Sequence, residues 1–203
     1  EVIVVDDGSR DATASVAAAH GAIVVTQKNS GAGAARNTGV ERARGQWIAF
    51  TDADCIPSRR WLASLLQAAR AGGDGALGAA GRPIGHESNS PAARFVDLAG
   101  GLDAQRHLQH PTFPFPHSCN VMYRREALIK VGGFDPRYVT YESCDLHQRL
   151  LSECPGAFTF CPPAVVLHRH RPDWKSYWRQ QVAYGRGYAQ FFLHYRARLP
   201  WSA

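Results

Sequence analysis

The sequence predicts an α/β protein built on a mainly parallel β-sheet that is flanked by helices. The first observation is the apolar, β-branched run from Val2 to Val5, which is typical of a strand buried on both faces. The second is that strands alternate with helical segments, as in β-α-β units with right-handed crossovers. The third is that acidic loops follow two strands, and ligands of such sheets bind beyond the carboxyl ends of the strands.

The first 81 residues carry this alternation most clearly. Ser9 is placed to cap the first helix, while Gly21 and Gly45 follow the ends of the first two helices. The predicted strands cover residues 2–5, 22–26, 46–51 and 76–81, and the predicted helices cover residues 9–20, 34–44 and 58–71.

The pattern weakens between residues 82 and 116, where a helix over residues 92–106 is the one clear element. The remaining predicted elements are strands over residues 119–124, 158–161 and 164–168, helices over residues 125–131 and 144–151, and a long aromatic helix over residues 174–199. We therefore expect one main domain over residues 1–173, followed by an aromatic and basic helical segment over residues 174–203.

The composition of the 203 residues excludes several classes of protein. The sequence lacks the roughly 20 consecutive apolar residues that a membrane-spanning helix needs, and its basic residues do not form the runs typical of nucleic-acid binding. Its net charge of +6 suits an anionic ligand such as a nucleoside diphosphate, or an anionic membrane surface. Five cysteines without a C-x-x-C pair indicate reduced thiols and a cytoplasmic location rather than a disulfide framework or a zinc site.

Two acidic clusters are the main candidates for a functional site. The pair Asp6-Asp7 and the motif Asp52-Ala53-Asp54 both fall at the carboxyl ends of predicted strands, so we expect them to converge on one crevice. Carboxylates spaced in this way can hold a hard divalent cation whose other ligands are water and phosphate oxygens. Turn formation and helix capping are the alternative roles of such residues.

Taken together, the motifs resemble glycosyltransferase family 2. They are V-D-D-G-S-x-D from Val5, G-A-x-x-A-R-N-x-G from Gly31, F-T-D-A-D from Phe50, and the run from Tyr123 through Gly132-Gly133-Phe134-Asp135. The resemblance extends in order from residue 2 to about residue 149. It implies a GT-A fold that transfers a sugar, with inversion, from a nucleoside-diphosphate sugar and usually uses Mg²⁺ or Mn²⁺.

The same resemblance assigns roles to individual residues. It implies that Asp7 recognises the nucleotide base with Asp6 beside it, that Asp52 lies near the ribose, and that Asp54 is a metal ligand. Arg36 falls in the motif that lines the nucleotide site. It also implies a nucleotide half over residues 1–81 and an acceptor half over residues 82–173. Because the family normally has a strand before this start, we expect the first strand to be missing and the chain to be a fragment.

An inverting transfer needs a general base, which the family usually supplies from an acidic E-D-x-D-L-x-x-R segment. Here that segment reads E-S-C-D-L-H-Q-R from Glu142, so Ser143 stands where an aspartate is expected. A serine is a poor base at neutral pH, which leaves Glu142 or Asp145 as the candidate. If both only cap a helix, the chain is a non-catalytic nucleotide-sugar or glycan-binding remnant of such an enzyme.

Histidines and the terminal helix complete the candidates. His168 ends a predicted strand, and we expect it to complete the metal site or to contact a phosphate. The alternative is that His168 is only the polar last residue of that strand and binds no ligand. We expect His107, His110 and His117 at the surface or in the acceptor pocket. The terminal helix packs on the core or lies on a membrane surface; its aromatic residues occupy more than one face, which favours core packing.

The expected biological context follows from the same resemblance. We expect a glycan or lipid-linked acceptor in cell envelope polysaccharide biosynthesis. For a cytoplasmic protein of this kind, peripheral contact with the inner face of the cytoplasmic membrane is a further alternative.

Overall fold

The computed structural model describes residues 1–198. Within that range the strands are β1 (Ile3–Asp6), β2 (Ile23–Thr26), β3 (Trp47–Phe50), β4 (Cys55–Pro57), β5 (Ala76–His86), β6 (Val121–Arg124) and β7 (Ala157–Arg169). The α-helices are α1 (Thr13–Ala19), α2 (Ala32–Arg42), α3 (Trp61–Ala71), α4 (Pro91–Leu98), α5 (Ala104–Leu108), α6 (Arg125–Lys130), α7 (Glu142–Glu153) and α8 (Trp174–Tyr195). Single 3₁₀ turns cover Gly73–Gly75 and Arg196–Arg198.

The strands form a parallel pair and a larger mixed sheet. Strands β1 and β2 are parallel, and the five-stranded sheet has the order β3-β6-β5-β7-β4. The α/β class is confirmed, but the larger sheet is not mainly parallel, since only its β5–β7 pair is parallel. Alternating elements predict helical crossovers. They do not predict the direction of β6. This strand follows the long segment after β5 and lies between β3 and β5 in the sheet.

The core lies on both faces of β6. Val121 and Tyr123 point to one face and pack with Leu128 and Leu146, while Met122 points to the other and packs with Leu65. This alternation is the period of two that strand geometry imposes. The sheet therefore holds α6 and α7 on one side and α3 on the other.

Several predicted element boundaries are wrong for local reasons. Helix α1 begins at Thr13 rather than at Ser9, because the Ser9 amide donates to Asp6 Oδ1 and the chain first forms a turn. The single helix predicted over residues 92–106 is divided into α4 and α5 by a turn in which Gly100 has a φ of 68°. The two short strands predicted near the end are one continuous strand, β7, and the short strand β4 was not predicted.

Helix α8 packs on the core and also carries an exposed aromatic surface. Phe191 and Tyr195 are buried in a cluster with Tyr138, whereas Trp174 and Trp178 are 52% and 68% exposed. Core packing of the terminal helix is thus confirmed for the C-terminal half of α8. Leu199 and Trp201, which were included in the predicted segment, lie outside the described residues. None of the helices within residues 1–198 combines the length and the apolar character that crossing a bilayer requires.

Candidate active site

A cavity of about 450 Å³ opens where the ends of several elements meet. Its floor contains Arg36 from α2, Asp52 from the loop after β3, and Glu142 from the first turn of α7. The other lining residues include His168 and His170 at the end of β7, residues of the α4–α5 segment and residues of α8. The cavity therefore joins residues that are up to 148 positions apart in the sequence.

Arg36 connects two of the predicted acidic residues. Its Nη2 lies 3.0 Å from Asp52 Oδ1, and its Nη1 lies 2.7 Å from Glu142 Oε1. Burial lowers the pKa of Arg36, but the two carboxylates outweigh this effect and raise it above its ordinary value. The planar guanidinium donates to two acceptors at once, so it holds both side chains in fixed positions.

Helix α2 places Arg36 because it packs closely against the segment before α7. The Asn37 side chain accepts from the Phe134 amide at 2.8 Å and donates to the Phe134 carbonyl at 2.7 Å. Gly33 faces the same segment, and a Cβ added there would meet Phe134 at 3.6 Å and Glu142 at 3.9 Å, which are ordinary packing distances. The two hydrogen bonds to the Phe134 backbone explain why the motif places an asparagine directly after Arg36.

Asp6 and Asp7 brace the loop beyond β1 and do not line the cavity. Asp7 accepts hydrogen bonds from the Gln27 side chain and from the amides of Ser30 and Gly31, each at 2.8 Å. Burial raises the pKa of Asp7, but these three donors lower it below its ordinary value. The structure thus brings Asp52 and Glu142 together through Arg36, and it gives Asp6 and Asp7 separate roles in shaping the neighbouring loop.

Asp54 and His168 form a second cluster with Cys55. His168 Nε2 lies 3.8 Å from Asp54 Oδ1, and Cys55 Sγ lies 3.8 Å from the same oxygen. One ligand atom from each of the three residues lies within 4.8 Å of the others. Burial lowers the pKa of His168, although the charge of Asp54 opposes this shift. A neutral imidazole beside a carboxylate is a suitable partner for a divalent cation.

The two candidate bases occupy different environments. Glu142 lines the cavity, and the neighbouring Ser143 hydroxyl donates to it at 3.4 Å. Asp145 is only 1% exposed, pairs with Arg149 at 2.6 Å, and accepts from the Tyr195 hydroxyl at 2.8 Å. Asp145 therefore ties α7 to α8, whereas Glu142 faces the space where a substrate would bind.

Three more histidines, His107, His117 and His170, also line the cavity. His170 Nε2 lies 2.8 Å from Asp97 Oδ1, and this contact joins α4 to the end of β7. His107 and His117, which were expected at the surface or in the acceptor pocket, both line the cavity and lie 3.0 Å apart. Burial lowers the pKa of His117 to about 3, so its ring is neutral at pH 7. The run His168-Arg169-His170 was the available signal for His170, but no sequence spacing connected it with Asp97.

The fold and the site define a class of protein, the GT-A glycosyltransferases. The family model for glycosyl transferase family 2 matches residues 1–132, which is more than half of the chain. The chain belongs to glycosyl transferase family 2.

Individual relatives agree with this assignment. Pre-mycofactocin glycosyltransferase of Mycobacterium tuberculosis is 35% identical over 192 residues, which cover 91% of this chain and 40% of that protein. Glycosyltransferase AglE of Haloferax volcanii is 25% identical over 209 residues, which cover 95% of this chain and 64% of that protein. The chain thus spans less than two thirds of the length of either relative.

A solved structure supports the fold. The mannosyltransferase PcManGT of Pyrobaculum calidifontis, solved in complex with GDP-Man and Mn²⁺, matches with a TM-score of 0.67 and 21% identity. The match covers 100% of this chain and 56% of that one. At this level of identity the likeness concerns the fold alone, and it confirms the predicted GT-A architecture.

Proposed function

We propose that the chain transfers a sugar, with inversion, from a nucleoside-diphosphate sugar to an acceptor hydroxyl, and that a divalent cation assists the transfer. The observation that supports this proposal most directly is that Arg36 pairs with Asp52 and Glu142 in a cavity that His168 also lines. The proposed nucleotide half is residues 1–81, with Asp6 and Asp7 at the nucleoside and Asp52 at the ribose. The acceptor half is residues 82–173.

The charges of the cavity support metal dependence. Arg36 is the only arginine or lysine among the described residues that line the cavity, and two carboxylates already neutralise it. Among the described lining residues, a diphosphate would therefore meet no arginine or lysine that lacks a carboxylate partner. Asp54 and His168 are the residues that would hold Mg²⁺ or Mn²⁺, and a separation of 3.8 Å between their ligand atoms suits a shared ion. When bound, such an ion offsets the charge of the departing diphosphate.

Glu142 is the proposed general base. It would remove the proton from the acceptor hydroxyl while the hydroxyl oxygen attacks the anomeric carbon from the face opposite the diphosphate. The bond between the anomeric carbon and the diphosphate oxygen breaks, and the diphosphate leaves with the electron pair. Arg36 would hold the carboxylate in position during this step, because it donates to Glu142 at 2.7 Å. The burial of Asp145 behind α8 supports Glu142 over Asp145.

The walls of the cavity indicate the kind of acceptor. Helix α8 contributes the rings of Tyr177 and Tyr184 and the amides of Gln180 and Gln181. Aromatic faces beside amide groups suit the apolar faces and the hydroxyls of a sugar ring. We therefore propose a glycan or lipid-linked acceptor, as in envelope polysaccharide assembly. The name of the mycobacterial relative makes pre-mycofactocin a second acceptor to test.

The decisive experiment is calorimetric titration of UDP, GDP and dTDP, each with and without Mn²⁺. We expect at least one nucleotide to bind in a Mn²⁺-dependent manner, and we expect Asp54→Ala to abolish that dependence. Asp74→Ala is the matched control, because Asp74 is an exposed aspartate in a 3₁₀ turn outside the cavity. Failure of all three nucleotides to bind the wild-type chain would refute the proposed donor site.

Ser143 favours a second candidate, a non-catalytic module that binds nucleotide sugars or glycans. The residue at this position is buried and offers a hydroxyl where the family usually has an aspartate. Transfer of radiolabelled sugar from a donor that calorimetry has identified separates the two candidates. Metal-dependent binding together with transfer that is abolished in Glu142→Gln supports the enzyme. If the chain shows the same binding but neither transfers the sugar to any acceptor class nor hydrolyses the donor, the non-catalytic module is supported.

Peripheral membrane contact is a separate proposal that rests on α8. Trp174 and Trp178 are exposed on one side of this helix, Lys175 and Arg179 flank them, and the helix contains no acidic residue. Exposed tryptophans between basic residues suit an anionic lipid surface. The wild-type chain should sediment together with vesicles that contain phosphatidylglycerol. The Trp178→Ser variant should stay in the supernatant. Equal sedimentation of wild type and variant would contradict this proposal.

A further inference from the structure

Strand β4 presents Cys55 beside the proposed cation site. In the antiparallel pairing of β4 with β7, Cys55 is directly opposite His168. Residues directly opposite each other in antiparallel strands project to the same face of the sheet. The pairing continues one residue further, because the Arg169 amide donates to the Asp54 carbonyl at 3.0 Å. The backbone therefore fixes Asp54, Cys55 and His168 as neighbours.

The side chains of these residues offer three different ligand atoms. Asp54 Oδ1 lies 3.8 Å from both His168 Nε2 and Cys55 Sγ, and all three ligand atoms lie within 4.8 Å of one another. In a tetrahedral site with metal–ligand bonds of about 2.0–2.3 Å, ligand atoms are roughly 3.3–3.8 Å apart. Small side-chain rotations would bring the three atoms into that range without moving the strands.

We propose that Cys55 is a third protein ligand of the cation site, which thereby binds Co²⁺ and Zn²⁺ more tightly than Mg²⁺. This inference rests on the proposed function, which places a cation at Asp54 and His168. A sulfur ligand beside an imidazole favours cations of borderline softness, whereas oxygen ligands and water favour Mg²⁺. Binding forms a metal–sulfur bond and releases the thiol proton to solvent. Phosphate oxygens of the donor would occupy the remaining coordination positions.

Cobalt spectroscopy tests this proposal without an activity assay. Titration of the wild-type chain with Co²⁺ should produce ligand-field bands in the visible range and a thiolate-to-cobalt charge-transfer band in the near ultraviolet. We expect Cys55→Ser to keep the visible bands and to lose the charge-transfer band. Cys161→Ser is the matched control, because Cys161 lies on the same strand as His168 and already donates to the Ser64 carbonyl at 3.4 Å.

A competition experiment provides a second measurement. Displacement of Co²⁺ should show that the dissociation constant for Zn²⁺ rises more than about tenfold in Cys55→Ser. The constant for Mg²⁺ should change by less than about threefold, because Mg²⁺ gains little from sulfur.

The outcomes distinguish failure of this proposal from failure of the proposed function. A charge-transfer band that persists in Cys55→Ser, or visible bands without a charge-transfer band in the wild type, would overturn the role of Cys55 and leave Asp54 and His168 as ligands. If Asp54→Ala binds Co²⁺ as the wild type does, or if the wild type binds none, the cation site itself is refuted.

Discussion

The contact between α8 and the segment that leads to Glu142 depends on one glycine. A Cβ atom added to Gly187 would lie 2.0 Å from Thr140 Oγ1 and 2.8 Å from the Thr140 carbonyl oxygen. Thr140 Oγ1 also donates to the Ala183 carbonyl on the same helix at 3.0 Å. Gly187→Ala should therefore push α8 away from this segment, because a backbone carbonyl cannot rotate aside as a side chain can.

The expected magnitude combines two opposing effects. Alanine is favoured over glycine inside a helix by about 1 kcal/mol. Inserting a methyl group into a well-packed contact costs about 1–3 kcal/mol, and the short distance to a backbone atom indicates the upper end of this range. We therefore expect Gly187→Ala to lower the free energy of unfolding by about 2 kcal/mol.

Urea denaturation followed by circular dichroism measures this change. The control is Gly185→Ala in the same helix, where an added Cβ would meet no atom within 4 Å. That variant should raise the free energy of unfolding by about 0.5–1 kcal/mol. Opposite signs for the two variants support the packing argument. A Gly187→Ala chain as stable as Gly185→Ala would refute it.

Two further predictions concern buried polar groups. Burial lowers the pKa of His147 to about 4, whereas an unfolded chain has a histidine pKa of about 6.5. The unfolded state therefore binds the proton first as the pH falls, and stability is lost between about pH 6.5 and pH 4, by up to about 3 kcal/mol. His147→Leu should reduce this loss in urea titrations across that range, and an unchanged pH dependence would contradict it. Tyr195→Phe removes the hydroxyl that donates to Asp145, so it should lower the free energy of unfolding by about 1–2 kcal/mol. The control, Tyr188→Phe at an exposed position, should change the free energy of unfolding by less than about 0.5 kcal/mol. Equal changes in the two variants would contradict a stabilising role of the Asp145 contact.

The candidate site was predictable where its residues lie in short motifs at the ends of elements. Asp52 and Asp54 follow a strand, and His168 closes another, so strand geometry alone placed them near one edge of a sheet. Glu142 and Asp145 could not be ranked in this way. Both lie in the first turn of α7. Their difference arises because Tyr195, 50 residues further along, covers one of them.

The sequence by itself determined the α/β class, the family motifs and the approximate order of strands and helices, because these depend on local periodicity and on residues close together in the chain. Only the tertiary structure decided the direction of β6, the bridge from Arg36 to Asp52 and Glu142, and the position of Cys55 opposite His168. Each of these depends on strand register or on contacts between distant segments, which are set by the packing of the whole domain and leave no local pattern in the sequence.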